Sequence, residues 1–163
     1  MNRDKIMKIA QYVLILIIIG TLIFIYTQSL KSPEESLKDS ETVGGIIAEV
    51  IPPDTKPGEF IQTNLRKLAH FSEFFVLGLE IGFYAVLFWR KAIIFILSFP
   101  LGMILALFDE TIQIFTGRGP SVTDVWIDVL GYSIAIAIAI ISFAVYYHVM
   151  TVVKKHRVKR QNG

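Results

Sequence analysis

Four stretches of mostly apolar residues alternate along the chain with shorter polar segments, at residues 9–26, 69–88, 92–115 and 125–147. A helix needs about 20 apolar residues to cross the hydrocarbon core of a bilayer. Helices and closed barrels are the structures that satisfy all of their backbone polar groups there. The pattern therefore predicts an all-α, polytopic membrane protein, in which four transmembrane helices form one bundle and residues 1–163 form one domain.

The polar segments between the spans predict the orientation of the bundle. Positive charges cluster near the N terminus, at Arg90 and Lys91, and in the C-terminal segment 148–163. Four spans place these three segments on one side of the membrane, and segments rich in lysine and arginine face the cytoplasm. Segment 30–64 holds seven acidic residues against three lysines. We therefore predict cytoplasmic N and C termini, an extracytoplasmic loop at 30–64 and a basic cytoplasmic tail at 148–163.

The first span and the loop after it are expected to support the rest of the bundle. The first span follows a basic start but ends without a small-x-small cleavage site, so we interpret it as an uncleaved helix that serves mainly as scaffold. Within the loop, residues 43–51 are apolar enough to lie on the membrane surface as a short helix. This helix is either a lid over the bundle or a linker.

Composition agrees with the membrane class and excludes several functions. The chain is 53% hydrophobic and 18% charged, which is too apolar for an ordinary soluble domain of 163 residues. Its net charge of +2 is small, and many of its basic residues lie in the predicted cytoplasmic segments, so we expect no nucleic-acid partner. The absence of cysteine excludes disulfides, thiolate metal sites and cysteine nucleophiles.

Strongly polar side chains at the ends of the spans are the candidates for function. They are Arg66, His70, Glu73, Asp109, Glu110, Gln113, Arg118, Asp124 and Asp128. A charge in or beside hydrocarbon is costly unless it is paired or hydrated, so a group of such residues is a hypothesis for a site. The predicted topology places them at the outer ends of three helices and in the loop between the last two. We therefore expect one polar site at the outer leaflet.

Helical geometry predicts which way these side chains face. At about 100° per residue, the polar residues of the second span share one stripe, which should face the bundle interior. They are Arg66, His70, Glu73 and Glu80. Glu80 lies about 10 Å deeper than Glu73 and is interpreted either as a neutral group hydrogen-bonded to another helix or as a proton relay. In the fourth span, Gly131 should let a neighbouring backbone approach closely.

The residue types suggest two groups of roles. We expect catalytic roles for His70, Glu73, Asp109, Glu110 and Asp128, and substrate-binding roles for Arg66, Gln113, Arg118 and Asp124. Glu73 lies three residues after His70 on one helical face, and would either orient the imidazole as a general acid or base or form a structural hydrogen bond. The arginines are suited to an anionic group, because guanidinium pairs bidentately with phosphate or carboxylate.

The carboxylates need compensation, because four of them near one another cannot all stay ionised unaided. Either Arg66, Lys67 and Arg118 balance them, or a hard divalent cation such as Mg²⁺ or Ca²⁺ binds there. The single candidate histidine makes zinc the less favoured ion. The identity of any metal cofactor stays open at this point.

Three ordered motifs resemble those of the VanZ-like family. They read Arg-Lys-Leu-Ala-His-Phe-Ser-Glu-Phe at 66–74, Asp-Glu-Thr-Ile-Gln-Ile-Phe at 109–115, and Gly-Arg-Gly-Pro-Ser-Val-Thr-Asp-Val-Trp-Ile-Asp-Val-Leu-Gly at 117–131. The first span, which ends in a Thr-Gln-Ser stretch, also suits that family. The resemblance runs over about residues 9–145. Where the family often has a histidine beside the acidic pair, this chain has Thr111, which speaks against a two-histidine metal site.

The resemblance implies a multi-spanning protein of the bacterial cytoplasmic membrane, in a family whose named member lowers susceptibility to the glycopeptide antibiotic teicoplanin. We accordingly expect an envelope protein that binds or modifies an outer-leaflet, lipid-linked substrate. Its partners would be membrane lipids and an anionic molecule such as a lipid-linked cell-wall precursor. The alternatives are a membrane-embedded hydrolase or transferase acting on a phosphorylated lipid, or a small transporter. Whether the protein is an enzyme is left open.

Overall fold

The computed structural model describes residues 2–89, 92–119 and 121–161, and every regular element in these ranges is a helix. The five α-helices are α1 Arg3–Ser29, α2 Pro33–Ala48, α3 Lys56–Tyr84, α4 Ala92–Phe115 and α5 Val122–Gln161. A π-helical turn, Ala85–Trp89, continues α3. The segments Arg3–Ser29, Lys56–Phe88, Ile96–Phe115 and Val122–Lys154 are long and apolar enough to cross a membrane, which confirms the predicted all-α, four-helix membrane fold.

The helix ends differ from the predicted spans except in α4, which has the predicted bounds. The second span was predicted at 69–88, but α3 begins at Lys56, where the Thr55 side chain caps it by accepting a hydrogen bond from the Gly58 N–H. An apolar window detects the part of a helix that suits hydrocarbon, while hydrogen bonding carries the helix on into polar sequence. Arg90 and Lys91, whose charges supported the predicted orientation, lie outside the described residues.

Helix α2 occupies much of the predicted loop 30–64 and begins well before the predicted surface helix at 43–51. Its N terminus is a capping box: the Ser32 hydroxyl accepts from the Glu35 N–H, and the Ser32 N–H donates to the Glu35 carboxylate at 2.9 Å. The hydrogen bonds that the Ser32 N–H and then the Ser32 hydroxyl donate to the Glu35 carboxylate lower the pKa of Glu35. With Pro33 at the first helical position, the Ser-Pro-Glu-Glu sequence is a signal from which the start of α2 was predictable.

Glycines let α3 and α5 pack with their backbones in close contact. A Cβ added at Gly78 would lie 2.5 Å from the carbonyl oxygen of Tyr132, and one added at Gly131 would lie 2.5 Å from the carbonyl oxygen of Phe71. Both distances are too short for any side chain larger than hydrogen. The close approach expected at Gly131 is therefore present, and it sets how α3 and α5 are rotated towards each other.

The buried core draws on all four long helices. It consists of Ile25, Phe74, Leu77, Ala106, Tyr132 and Ile136. Large apolar side chains also cover the outside of the bundle, and Leu16 and Tyr12 on α1 are each 67% exposed. An apolar exterior around a packed core is what helices need when lipid surrounds them. The core lies directly beneath the polar residues described below.

Glu80 links α1 to α3 within this bundle. Its Oε1 accepts a hydrogen bond of 2.9 Å from the Thr21 hydroxyl, while its Oε2 is buried without a hydrogen bond from any described residue. Further along the same two helices, Gln11 donates to the Tyr84 hydroxyl at 2.9 Å. Glu80 therefore makes the cross-helix hydrogen bond expected of it, and it lies apart from the other polar residues of α3.

Candidate functional site

The nine candidate residues meet at one end of the bundle, where α1 and α4 end and α5 begins. We call this end the polar end. Seven of the nine side chains are buried: His70, Asp109, Glu110, Gln113, Arg118, Asp124 and Asp128. Glu73 is half-buried and Arg66 is exposed. The convergence expected from topology is therefore present, and it concentrates ionisable groups in a part of the protein that water reaches poorly.

Asp109 and Gln113 of α4 form the centre of a hydrogen-bonded network. The Gln113 amide donates to Asp109 Oδ2 at 2.7 Å and accepts from Arg66 Nη2 of α3 at 2.9 Å. The same Arg66 nitrogen lies 3.4 Å from Asp124 Oδ2 of α5. Three helices are thus joined through polar side chains, and because both ends of the Gln113 amide are used, its orientation is defined.

Helix α1 contributes Ser29, a site residue that sequence reasoning missed. The Ser29 hydroxyl donates a hydrogen bond to Asp109 Oδ1, and its side chain is buried. The Ser29 carbonyl accepts in turn from the Thr116 hydroxyl at 3.2 Å. The Thr-Gln-Ser stretch that closes the first apolar span was the available signal. Helix α1 is therefore part of the site as well as scaffold.

His70 lies between two carboxylates, and neither belongs to Glu73, the partner expected from the sequence. Its Nδ1 is 3.3 Å from Asp128 Oδ1 and 3.7 Å from Asp109 Oδ2. Glu73, the expected partner one turn along α3, makes no hydrogen bond or ion pair with a described residue and faces a cavity instead. The close packing at Gly131 brings Asp128, one turn away on α5, up to His70.

Several buried polar atoms at this point have no hydrogen bond to any residue in the described part of the chain. They are His70 Nδ1, both carboxylate oxygens of Asp128, and Glu110 Oε1. One ligand atom from each of His70, Asp109 and Asp128 lies within 4.8 Å of the other two. In the part of the chain that the structure describes, these three residues form the group with the spacing needed to hold a metal ion.

The loop between α4 and α5 adds a buried guanidinium to the polar end. The turn passes through Gly117, whose positive φ of 78° favours glycine. Arg118 Nη1 then donates to the carbonyl of Gln28 on α1 at 3.3 Å, and the Ser121 N–H donates to Glu110 at 2.8 Å. Burial, and next the nearby positive charge of Arg66, lowers the pKa of Arg118, but a guanidinium stays protonated at neutral pH.

A cavity of about 660 Å³ lies between α1, α2 and α3 at this end. Its apolar wall includes Phe24, Val43, Ile47, Leu65 and Leu68. Its polar lining includes Arg66, His70, Glu73 and Arg118 from the site, together with polar side chains of α2 such as Asp39 and Ser40. A neighbouring cavity of about 470 Å³ shares Arg66 and Arg118. Helix α2 lines both cavities, so it covers the site, as expected if it is a lid.

Carboxyl groups outnumber cationic groups at the polar end. Five carboxyl groups face two guanidinium groups and one imidazole, so the carboxyl groups are the more numerous even when His70 is protonated. Lys67, one of the cations expected to balance them, is exposed and forms no ion pair with a described residue. The site therefore combines two chemical capacities: paired guanidiniums that suit an anion, and a carboxylate–imidazole cluster that suits a cation.

Comparison with known proteins identifies one family. The family model described as VanZ/LLP1 matches residues 12–144, and this range includes all nine candidate residues and Ser29. No curated protein and no solved structure matches the chain.

Proposed function

Because the chain belongs to the VanZ/LLP1 family, we propose that it acts on the bacterial cell envelope by binding an anionic lipid at the outer leaflet of the cytoplasmic membrane. In this proposal the polar end holds the headgroup of a lipid-linked molecule, such as a cell-wall precursor. Binding keeps that molecule away from glycopeptide antibiotics such as teicoplanin, and the cell becomes less susceptible to them.

The observation that carries the proposal is the chemistry of the larger cavity. Its volume of about 660 Å³ is in the range of ligand-binding cavities, which is about 300–1,000 Å³. One wall is apolar, as an acyl or prenyl chain requires, and the other presents Arg66 and Arg118, whose guanidiniums form charge-assisted pairs with phosphate. A molecule with a long apolar chain and an anionic headgroup complements both walls.

The distribution of charge supports an outward-facing polar end. Segment 148–163, at the far end of α5, is rich in lysine and arginine, and such segments stay in the cytoplasm. Segment 30–64, which contains α2, holds three lysines and no arginine, so its sequence carries little signal for retention in the cytoplasm. The proposed orientation gives the cavity access to lipids of the outer leaflet.

A second candidate function is hydrolysis or group transfer on the same lipid. It is favoured by Glu73, a carboxyl group that faces the cavity next to His70 without a hydrogen bond or ion pair to a described residue. A carboxyl or imidazole in this position is suited to general acid–base catalysis. Mass spectrometry of lipids from expressing and control cells separates the two functions, since an enzyme yields a new lipid species and a binder leaves the lipids unchanged.

The binding proposal is tested with two lipids that differ by one phosphate, phosphatidic acid and the diacylglycerol with the same chains. Native mass spectrometry of the purified protein should detect preferential binding of phosphatidic acid. Removing one charge-assisted hydrogen bond costs about 1.5–3 kcal/mol, so Arg118→Gln should weaken this binding about 10- to 100-fold. Lys67→Gln is the matched control, because Lys67 is an exposed cation that pairs with none of the described carboxylates. Equal weakening in both variants would show that nonspecific charge is responsible.

A second pair of variants tests the apolar wall. Ala69 lines the cavity on α3, so Ala69→Phe should fill part of it and reduce binding of phosphatidic acid. Leu107→Phe on the exposed face of α4 is the control and should leave binding unchanged. In a glycopeptide-sensitive bacterium, expression of the wild-type chain should raise the inhibitory concentration of teicoplanin, and Arg118→Gln should abolish the increase at equal membrane levels. Full protection by Arg118→Gln would refute the proposed role of the site.

A further inference from the structure

Three helices each place one candidate metal-ligating side chain at a common point. His70 comes from α3, Asp109 from α4 and Asp128 from α5. The distances from His70 Nδ1 are 3.3 Å to Asp128 Oδ1 and 3.7 Å to Asp109 Oδ2. At 3.3 Å the first distance is at the long end of the range for an N–H···O hydrogen bond, and His70 Nδ1 has no hydrogen-bond partner among the described residues. Atoms bound to one tetrahedral zinc ion at about 2.0–2.2 Å lie roughly 3.3–3.6 Å apart, so the spacing suits shared coordination better than direct hydrogen bonding.

The hydrogen bonding of the three side chains also favours shared coordination of an ion. His70 Nδ1 and both Asp128 oxygens are buried without a hydrogen bond to residues 2–89, 92–119 or 121–161, and Asp128 has no exposed surface. Leaving a buried carboxylate without a partner is strongly destabilising. A divalent cation at this point would interact with these atoms and stabilise the ionised form of the two aspartates.

Asp109 has the outer support that metal-binding carboxylates usually have. Ser29 donates to its Oδ1 and Gln113 donates to its Oδ2 at 2.7 Å, which holds the carboxylate in one orientation. A carboxylate oxygen accepts more than one interaction, so Oδ2 retains capacity for an ion. Hydrogen bonds of this kind orient the ligands of metal sites.

We propose that His70 Nδ1, Asp109 Oδ2 and Asp128 Oδ1 bind one divalent transition-metal ion, of which Zn²⁺ is the best match. The imidazole decides the type of ion, because Mg²⁺ and Ca²⁺ prefer all-oxygen sites whereas Zn²⁺ accepts imidazole and carboxylate together. The sequence left Mg²⁺ or Ca²⁺ as one alternative to balancing by basic side chains and made zinc the less favoured ion, so this proposal differs from that order of preference.

Three protein ligands leave one position of a tetrahedral ion open. His70 lines the cavity, so that position would be accessible to a water molecule or to a phosphate oxygen of a headgroup. The binding of a headgroup to this ion rests on the proposed function, whereas metal binding by the three side chains does not.

The test uses the full chain in detergent, with the affinity tag removed because polyhistidine itself binds zinc, and with bound metal stripped by a chelator. Calorimetric titration with Zn²⁺ and elemental analysis should give about one ion per chain, and Co²⁺ should give the visible absorption of a protein-bound ion. Asp128→Asn should weaken Zn²⁺ binding by at least about tenfold. Asp124→Asn is the matched control, because Asp124 is a buried carboxylate one turn earlier on α5 that lies beside Arg66.

A rescue variant keeps the test decisive if Asp128→Asn fails to fold. Asp128→His offers a nitrogen ligand from the same position and should retain Zn²⁺ binding. Binding of Mg²⁺ or Ca²⁺ but not Zn²⁺, absence of binding to the folded chain, or equal loss in Asp128→Asn and Asp124→Asn would overturn the metal site. Phosphatidic acid binding, measured with and without Zn²⁺, separates the two proposals. One-site Zn²⁺ binding without lipid binding supports the metal site and refutes the proposed function.

Discussion

Replacing Gly131 by alanine should separate α3 from α5 at the polar end. The added Cβ would lie 2.5 Å from the carbonyl oxygen of Phe71, whereas ordinary contacts begin at 3.4 Å, so the backbones must move apart by about 0.9 Å. Overpacking of this kind costs about 1–3 kcal/mol. The same substitution gains about 0.5–1 kcal/mol from the better helix propensity of alanine.

Gly20→Ala is the control that isolates the packing cost. Gly20 lies within α1, and a Cβ added there meets nothing within 4 Å, so this variant shows the gain in helix propensity alone. The free energy of unfolding should therefore differ between the two variants by about 1–3 kcal/mol in favour of Gly20→Ala. For a chain of this length the difference corresponds to roughly 2–12 °C in Tm.

Thermal unfolding of both variants in the same detergent, followed by near-UV circular dichroism, measures this difference. Because Phe71 adjoins His70 and Gly131 lies one turn from Asp128, the separation should also widen the His70–Asp128 distance and weaken Zn²⁺ binding in Gly131→Ala. A Gly131→Ala protein that is at least as stable as Gly20→Ala would refute the close contact between the two helices.

Two further predictions concern α1 and the orientation of the bundle. Ser29→Ala removes the hydrogen-bond donor to the buried Asp109 Oδ1 and should lower the free energy of unfolding by about 1–3 kcal/mol. Ser29→Thr keeps a hydroxyl and should lower this free energy by less. Equal Tm values for Ser29→Ala and the wild type would contradict the hydrogen bond. The chain has no cysteine, so single cysteines can report the orientation of the bundle. Thr123→Cys should react with an impermeant thiol reagent on intact cells, and Asn162→Cys, which lies outside the described residues, should react only after permeabilisation. The reverse result would overturn the proposed orientation.

Much of the fold was predictable from the apolar stretches of the sequence, and the errors lie where the helices are polar. The four long helices were predictable because each contains about 20 residues that favour hydrocarbon, and α4 has the predicted bounds. The start of α3 and the position of α2 were not found, because polar helices outside hydrocarbon leave no apolar run. Capping residues at Ser32 and Thr55 mark both starts, so local hydrogen-bonding signals were the missing information.

The candidate site was predictable as a set of residues, but only part of its contacts was. Topology alone brought the ends of α3, α4 and α5 together, and the nine polar residues do meet. The expected partner of His70 was Glu73, since one turn of helix separates them, yet Asp128 occupies that position. Contacts between helices depend on their rotation and separation, which a helical wheel drawn for a single helix does not contain.

The sequence by itself therefore determined a four-helix membrane protein with nine polar candidate residues gathered at one end. The physical reason is that the hydrophobic effect sorts segments by composition, and short connections leave few ways to order them. The tertiary structure decided that α2 covers a cavity, that Ser29 of α1 supports Asp109, and that His70 lies between two aspartates. Those contacts depend on distances of a few ångströms between the helices. The glycine contacts between α3 and α5 and the hydrogen bonds across the bundle set these distances.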